Sequence, residues 1–438
     1  MTAFDIDTLL VGAGPANLAL AIALEELAPA EVAAGTLILE QADDIVWQRG
    51  MMLPWAQSQV SFLKDLVTLR NPRSRFTFVN YLHSIGRLDD FINLGSAVPY
   101  RQEISGYFAW VAESLTHTKI DFGRGVSRSQ ALRDPSGAVT GWRVHLTDGT
   151  ALTCRDLVVG VGRDAHVPEV FKDLPADRAI HSTRFTEGFA TLDERRTRRV
   201  SVIGAAQSAA EMLWTAHQRL PQAECTMIMR SIGLNSYESS KFTNEIFYPS
   251  FIDDFHGTSP NSREQLLREM HRTNYAGLSP AMLDTLYKQT YLEKLTGQER
   301  LRMVTMTDVT AAVLDGDEVV LTLSDRRTGE VTEHRCDTVL LGTGFERGMP
   351  WLIRDLSASA GITDPAAITV DRNYRLQLPE GSTATCHLQG VNEATHGIAD
   401  SLLSVLAARA GDIVTDLLAV RARGADQRVL RAPAARAA

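Results

Sequence analysis

The segment Val11-Gly12-Ala13-Gly14-Pro15-Ala16-Asn17 lies between an apolar run and an alanine- and leucine-rich stretch, and it constrains the fold more than any other segment. Asp7 to Val11 reads as a buried parallel strand, and Asn17 to Leu27 as the helix that follows. Gly12 lets the chain turn sharply off the strand, and Gly14, followed by Pro15, leaves room for a pyrophosphate against the backbone. The amides freed at the helix N-terminus face that anion. Leu37-Ile38-Leu39-Glu40 ends a second strand on an acid placed to hold a ribose hydroxyl. Glu40 stands 28 residues beyond Gly12, against a usual interval of about twenty, and Ala33-Ala34-Gly35 supplies the extra loop. A Gly-x-Gly turn alone also serves as an ordinary tight turn. Strand, loop, helix, strand and acid together predict a nucleotide cofactor.

One such unit accounts for a fraction of 438 residues, a length that predicts two or three domains. With 44% hydrophobic and 22% charged residues the chain reads as a globular protein. A net charge of −9 argues against nucleic acid or an anionic membrane surface as partner, and no apolar run reaches bilayer length. Cys154, Cys225, Cys336 and Cys386 are scattered without a Cys-x-x-Cys pair. That excludes a dithiol flavin reductase and most zinc sites, so no metal is expected, and it fits a reducing cytosol. Met1 to Asp5 lack the basic and apolar regions of a signal peptide, and the expected location is cytoplasmic.

A second unit starts at Arg198. Arg198 to Ile203 reads as a strand, Gly204-Ala205-Ala206-Gln207-Ser208-Ala209 as its loop, and Ala210 to His217 as its helix. Ala206 takes the second glycine position; alanine is the smallest side chain that still admits a phosphate. The next strand, Cys225 to Arg230, ends in arginine where the first unit ends in glutamate, a change that favours NADPH over NADH. A packing turn with a solvated arginine is the competing reading. Leu157 to Gly162 and Asp337 to Gly344 are apolar strands ending in glycines, one for each unit. The pattern is that of a two-dinucleotide flavoprotein carrying FAD and NADPH.

The expected fold is α/β, with two dinucleotide-binding, Rossmann-like domains and a helical substrate-binding insertion. Residues 1–190 form the first part of the FAD-binding domain, and 191–335 the NADPH-binding domain with the insertion at about 236–300. Residues 336–420 return to the FAD-binding domain and end in a helix, Asp400 to Val420, and 421–438 form an Arg/Ala-rich frayed tail. A long segment rich in aromatic and polar residues, from Trp47 to Pro72, is more than a nucleotide unit needs and is expected to cover a cofactor.

Six separated motifs have no common packing reason. They are Gly-Ala-Gly-Pro-Ala-Asn (12–17), Ser-Phe-Leu-Lys-Asp-Leu (61–66), Phe-Val-Asn-Tyr-Leu (78–82), Gln-Ser-Ala-Ala-Glu (207–211), Asn-Glu-Ile-Phe (244–247) and Asn-Glu-Ala-Thr-His-Gly (392–397). With them the chain, from about residue 5 to 420, resembles the microbial N-hydroxylating flavin monooxygenases that act on the side-chain amine of ornithine or lysine in siderophore biosynthesis. Asn17 replaces the third glycine of the generic fingerprint, as in that family.

The resemblance implies roles. Lys64 and Asn244 would hold the substrate's α-carboxylate, Asn274 would hydrogen-bond the amine, and Leu402 and Ser404, on the last helix, would line the pocket. Lys64 and Asn274 would thereby carry the catalytic positioning. Trp47 and Gln59 would contact the flavin, and Gln207, Ser208 and Arg230 would bind NADPH, beside the loop residues Gly12, Gly14, Pro15, Asn17, Glu40 and Gly204. Against these stand a surface lysine beside Asp65, asparagines that cap helices or turns, and His396 as either a base or a packed loop histidine. The sequence departs from the family at Ala206, commonly glycine, and at Ile398-Ala399, where Leu-Ser is frequent.

The implied reaction reduces FAD with NADPH, adds O₂ to give a C4a-hydroperoxide, and lets the amine attack its distal oxygen. L-ornithine N5-hydroxylation leads, with L-lysine N6-hydroxylation the alternative, since one methylene carries only about 1–3 kcal/mol of discrimination. A diamine substrate has no use for Lys64, and a non-catalytic NADP(H)-binding protein has no use for the Lys64, Asn244 and Asn274 set. A Baeyer–Villiger enzyme lacks its Phe-x-Gly-x-x-x-His signature here. A homo-oligomer, dimer or tetramer, is compatible with the resemblance.

Overall fold

The computed structural model describes residues 4–275 and 277–431, with side chains through residue 423. Two sheets, one mixed and one parallel, carry the molecule. In the first, Ile6–Val11 lies between Thr36–Leu39 and Ala151–Val159, pairing Val11 with both Leu39 and Val159. Lys119–Asp121 extends one side, and Val139–Leu146 and Val126–Arg133 add antiparallel strands on the other. Thr385–Leu388 closes the set against Ala151–Val159. The central strands are buried on both faces, which is why they read as unbroken apolar runs rather than alternations.

The second sheet runs Leu301–Val304, Glu224–Ile228, Arg199–Ile203, Thr338–Leu341, Ala179–His181. A three-stranded antiparallel sheet (Thr307–Asp315, Glu318–Asp325, Val331–Cys336) packs beside it. The expectation of an α/β fold with two Rossmann-like units therefore describes the architecture, but the expected boundaries move. Ala179–His181 and Thr338–Leu341 pair within the second sheet, so that unit begins before residue 190 and continues past 335. The chain returns to the first sheet only at Thr385. The two crossovers lie side by side, with the His166 amide donating to Gly344 O at 3.0 Å and the Glu346 amide to Asp164 O at 2.8 Å.

Between the second sheet's strands stand the helices Pro249–Gly257, Pro260–Asn274 and Pro280–Thr296, each opened by proline at a position that needs no amide donor. This is the expected helical insertion.

The C-terminal helix spans Leu406–Arg431 instead of starting at Asp400. Asp400 turns its carboxylate back to the Asn392 amide (2.7 Å) and to Arg409 (2.9 Å), and residues 398–401 and 403–405 form two short 3-10 turns. Ser404 thus sits in the turn before the helix. The expected tail also starts later, because Arg421 holds Asp156 at 2.8 Å and Thr8 at 2.6 Å within the continuing helix. Residues 432–438 of that tail lie outside the described residues.

Candidate active site between two nucleotide loops

The first loop has the shape the fingerprint demands. Gly12 takes φ +90°, and a Cβ there would stand 2.9 Å from Gly160 O, so conformation and space both require glycine. Gly14 caps the helix Pro15–Leu27 without a side-chain bond, and the amides of Ala16 and Asn17 have no acceptor among the described residues. Glu40 reaches back to the loop and accepts the Ala13 amide at 2.7 Å. Asn17 is fully buried: its Nδ2 donates to Val11 O and Gly12 O at 2.9 and 2.7 Å, and its Oδ1 accepts from Gln389 at 2.7 Å. With both side-chain amide hydrogens engaged, the Asn17 side chain braces the loop, and its backbone amide is the group it has left to offer a ligand.

The second loop is built alike. Gly204 at φ +132° would place a Cβ 2.4 Å from Gly342 O. Ala206 is the uncapped N-terminal residue of the helix Gln207–Arg219, so that helix starts three residues earlier than expected and takes in Gln207 and Ser208. Gln207 is spoken for twice, its Nε2 donating to Glu211 (3.0 Å) and its Oε1 accepting the Ser279 amide (2.9 Å), which leaves one amide hydrogen for a ligand. Ser208 is half-buried at the same helix end, and Arg230 is exposed just past the strand Glu224–Ile228. Uncapped helix ends with glycine-backed loops fit two pyrophosphates, and the acid and the arginine fit their respective riboses.

In the long segment after the first unit's second strand, Lys64 ends a 3-10 turn, Phe62–Lys64, that Ser61 caps. Its neighbour Asp65 does not pair with it. The Asp65 carboxylate is buried and accepts the amides of Val67 (2.9 Å), Thr68 (2.6 Å) and Phe78 (2.8 Å). Lys64 instead lies half-buried with Nζ 4.5 Å from the Tyr248 ring centroid and 5.9 Å from that of Phe247. Burial lowers its pKa from the usual lysine range. Among the described residues it has no carboxylate partner.

Phe247 belongs to the 3-10 turn Thr243–Phe247 that also carries Asn244, which is exposed. Asn274 is the last residue of its helix and half-buried. Both segments meet the stretch after Gly397: Ile398 packs with Phe255 and Met270, and Ala399 with Ile252 and Val405, against Phe247. The two residues that depart from the family pattern are thus packing residues under the insertion. Leu402, half-buried, and Ser404, buried, follow them, and Leu403 shares a small cavity with Lys64, Ser58 and Phe108. Trp47 donates its amide to Ser105 and packs edge-on against Phe108 at 5.7 Å, while Gln59 is exposed in the adjacent loop.

His396 is buried and stacked on Tyr374 at 4.0 Å, with Nε2 on Arg372 O and Nδ1 on the Thr395 hydroxyl. Burial lowers its pKa to about 4, so it is a neutral packing residue with both nitrogens engaged. Two contacts carried no sequence signal of their role. Tyr275 donates to Glu393 at 2.5 Å, and Arg101 grips Glu211, a residue the Gln-Ser-Ala-Ala-Glu motif contained without explaining.

The family model described as L-lysine 6-monooxygenase/L-ornithine 5-monooxygenase matches residues 5–347. The chain belongs to this family. It is 37% identical to an L-ornithine N(5)-monooxygenase of Pseudomonas aeruginosa over 420 residues, 94% of this chain and 93% of that one. It is 32% identical to an ornithine N-hydroxylase of Kutzneria sp. 744, solved with reduced FAD, NADP⁺ and L-ornithine, at a TM-score of 0.88 over 96% of this chain and 99% of that one. An L-lysine 6-monooxygenase structure from Pseudomonas syringae follows at 30% identity and TM-score 0.83, covering 95% and 99%. In this family member no described helix is long and apolar enough to cross a membrane.

Proposed function

We propose that this chain is an FAD- and NADPH-dependent L-ornithine N5-monooxygenase, giving N5-hydroxy-L-ornithine for hydroxamate siderophores in the cytoplasm. The observation that carries the reading is Lys64, a half-buried cation without a carboxylate partner among the described residues, facing the segment that bears Asn244. A half-desolvated, unpaired ammonium carries a cost that a ligand's counter-charge offsets. An amino acid's α-carboxylate does so, and Asn244 adds a neutral hydrogen bond.

With the carboxylate fixed, only the distal nitrogen reaches the reacting centre, where Asn274 receives it. That nitrogen must be a neutral amine. A free alkyl ammonium with pKa near 10.4 leaves about one molecule in a thousand neutral near pH 7.4, roughly 4 kcal/mol against reaction. Asn274 is polar and uncharged, so it orients the nitrogen without stabilising the ammonium as a carboxylate would. Leu402 and Ser404 border the same stretch of chain.

Gly12, Gly14, Pro15 and Glu40 would hold FAD, with Trp47 and Gln59 at its ring end; Gly204, Gln207, Ser208 and Arg230 would hold NADPH. When bound, FAD takes two electrons from NADPH and activates O₂ for transfer of one oxygen atom to the amine, the other leaving as water.

The test is product detection by mass spectrometry with ornithine, lysine and putrescine in parallel, alongside NADPH consumption. Hydroxylated ornithine is expected. Preferential turnover of lysine moves the assignment to L-lysine N6-hydroxylase, and a folded, colourless, FAD-free protein ends the enzyme reading.

A further inference from the structure

Arg230 has an acidic neighbour that is kept from it. Met229 O accepts the Thr307 amide at 3.0 Å, and Ser231 O accepts the Met306 amide at 2.9 Å, so Arg230 lies directly across from the start of the strand Thr307–Asp315. Asp308 is the second residue of that strand, and the Arg230 charge contributes to lowering its pKa behind the larger effect of Arg326. Yet Asp308 makes no ion pair with Arg230. Its two oxygens accept from Arg326, Oδ2 from Nε at 2.6 Å and Oδ1 from Nη2 at 2.8 Å, a two-point fork.

The backbone enforces this arrangement. The Arg326 amide donates to Met306 O at 2.7 Å, and Met306 adopts φ +55°, a left-handed conformation rare for a methionine. One residue therefore ties the end of the nucleotide strand through its amide and the Arg326 turn through its carbonyl. The next charges along are also paired, Arg327 with Asp325. Arg230 is left without an ion-pair partner among the described residues.

We propose that Arg326 is a specificity-determining residue for NADPH: by occupying both oxygens of Asp308 it leaves the Arg230 guanidinium for the cofactor's 2′-phosphate. The inference rests on the assignment of Arg230 to that phosphate. An unclaimed Asp308 would pair with Arg230 and would repel the phosphate, while NADH, with a hydroxyl there, would meet no such penalty.

Flavin reduction by NADPH and by NADH, measured by stopped flow on the flavin-loaded enzyme, tests this through the ratio of the two efficiencies. Arg326→Ala lowers the NADPH:NADH ratio about five- to tenfold, the effect of one charge at about 4 Å in a water-exposed site. Asp308→Asn keeps the wild-type ratio, and Arg326→Ala/Asp308→Asn restores it, which a merely structural loss would not do. Arg326→Lys, charged but without the fork, falls between. A ratio unmoved in Arg326→Ala, or a double variant as poor as Arg326→Ala, overturns the proposal. Arg230→Ala separates the two readings: if it leaves the ratio unchanged the 2′-phosphate site itself falls, and if it collapses the ratio while Arg326→Ala does not, only the role of Arg326 falls.

Discussion

Arg101 and Glu211 face each other across the seam of the two nucleotide units, each guanidinium nitrogen 3.0 Å from a different carboxylate oxygen. Arg101 opens the helix Arg101–Ser114 of the first unit, and Glu211 lies one turn into the loop helix of the second. Both side chains are buried, and Arg101 also donates to Met51 O at 2.5 Å. Glu211 fixes Gln207 in turn, and Gln207 caps the insertion at Ser279. One ion pair thus sets the first nucleotide unit, the loop of the second and the helical insertion in register.

Removing one partner strands a buried charge. Glu211→Ala is expected to cost about 3–5 kcal/mol of stability, and to raise the NADPH KM in the folded fraction because Gln207 loses its acceptor. Thermal unfolding followed by circular dichroism reads the first effect and steady-state kinetics the second. An unchanged unfolding transition would contradict the strut.

Lys64→Ala deletes the counter-charge proposed for the substrate's carboxylate. A charge-assisted hydrogen bond contributes about 1.5–3 kcal/mol, so the ornithine KM should rise about 10- to 150-fold. NADPH-driven flavin reduction persists, because the residue lies outside both nucleotide loops. Equal KM values for the variant and the parent would refute the carboxylate role.

The same lysine predicts a pH dependence. Burial lowers its pKa, so the ammonium form, the one proposed to bind the carboxylate, is lost as pH rises through that lowered value. The substrate's amine works in the opposite sense, its neutral fraction growing with pH. The efficiency kcat/KM for ornithine should therefore pass through a maximum whose alkaline limb belongs to Lys64. Lys64→Arg keeps its charge across this range, so its alkaline limb should move upward. Superimposable alkaline limbs would assign that limb elsewhere.

Much of this was legible in the sequence because it rests on local pattern. The loops at Gly12 and Gly204 need glycine for backbone reasons, and the buried strands show as apolar runs. Domain boundaries were only partly legible: the glycine-ended repeat at Asp337 to Gly344 points to the second unit, where pairing with Val200 to Ile203 puts it, but the return to the first sheet at Thr385 carries no such mark. The start of the last helix was hidden for a related reason. Asp400 to Leu406 is helix-compatible by propensity, but tertiary bonds from Asp400 to Asn392 and Arg409 override it. Asn17 was legible as a family mark and not as a staple, because its partner Gln389 lies 372 residues away.

Tyr275, directly after Asn274, offers the last test. Its hydroxyl donates to Glu393 Oε1 at 2.5 Å, an oxygen that also accepts from Ser401 at 2.9 Å and lies 3.7 Å from Arg163. Burial, with the Glu393 charge second, pushes the Tyr275 pKa up to about 12, so the hydroxyl stays a donor at working pH. This ties the C-terminal end of the Asn274 helix to the loop beyond Thr385–Leu388, the anchor expected to position the Asn274 amide in its proposed role. Tyr275→Phe keeps the ring and removes the tie, which carries about 1 kcal/mol in stability. The larger effect should fall on function: less hydroxylated ornithine per NADPH consumed, with more hydrogen peroxide, because a nitrogen held loosely misses the reactive oxygen. Product and peroxide are measured together against NADPH. If their proportions match the parent enzyme's, the Tyr275–Glu393 bond packs the loop and does not position Asn274.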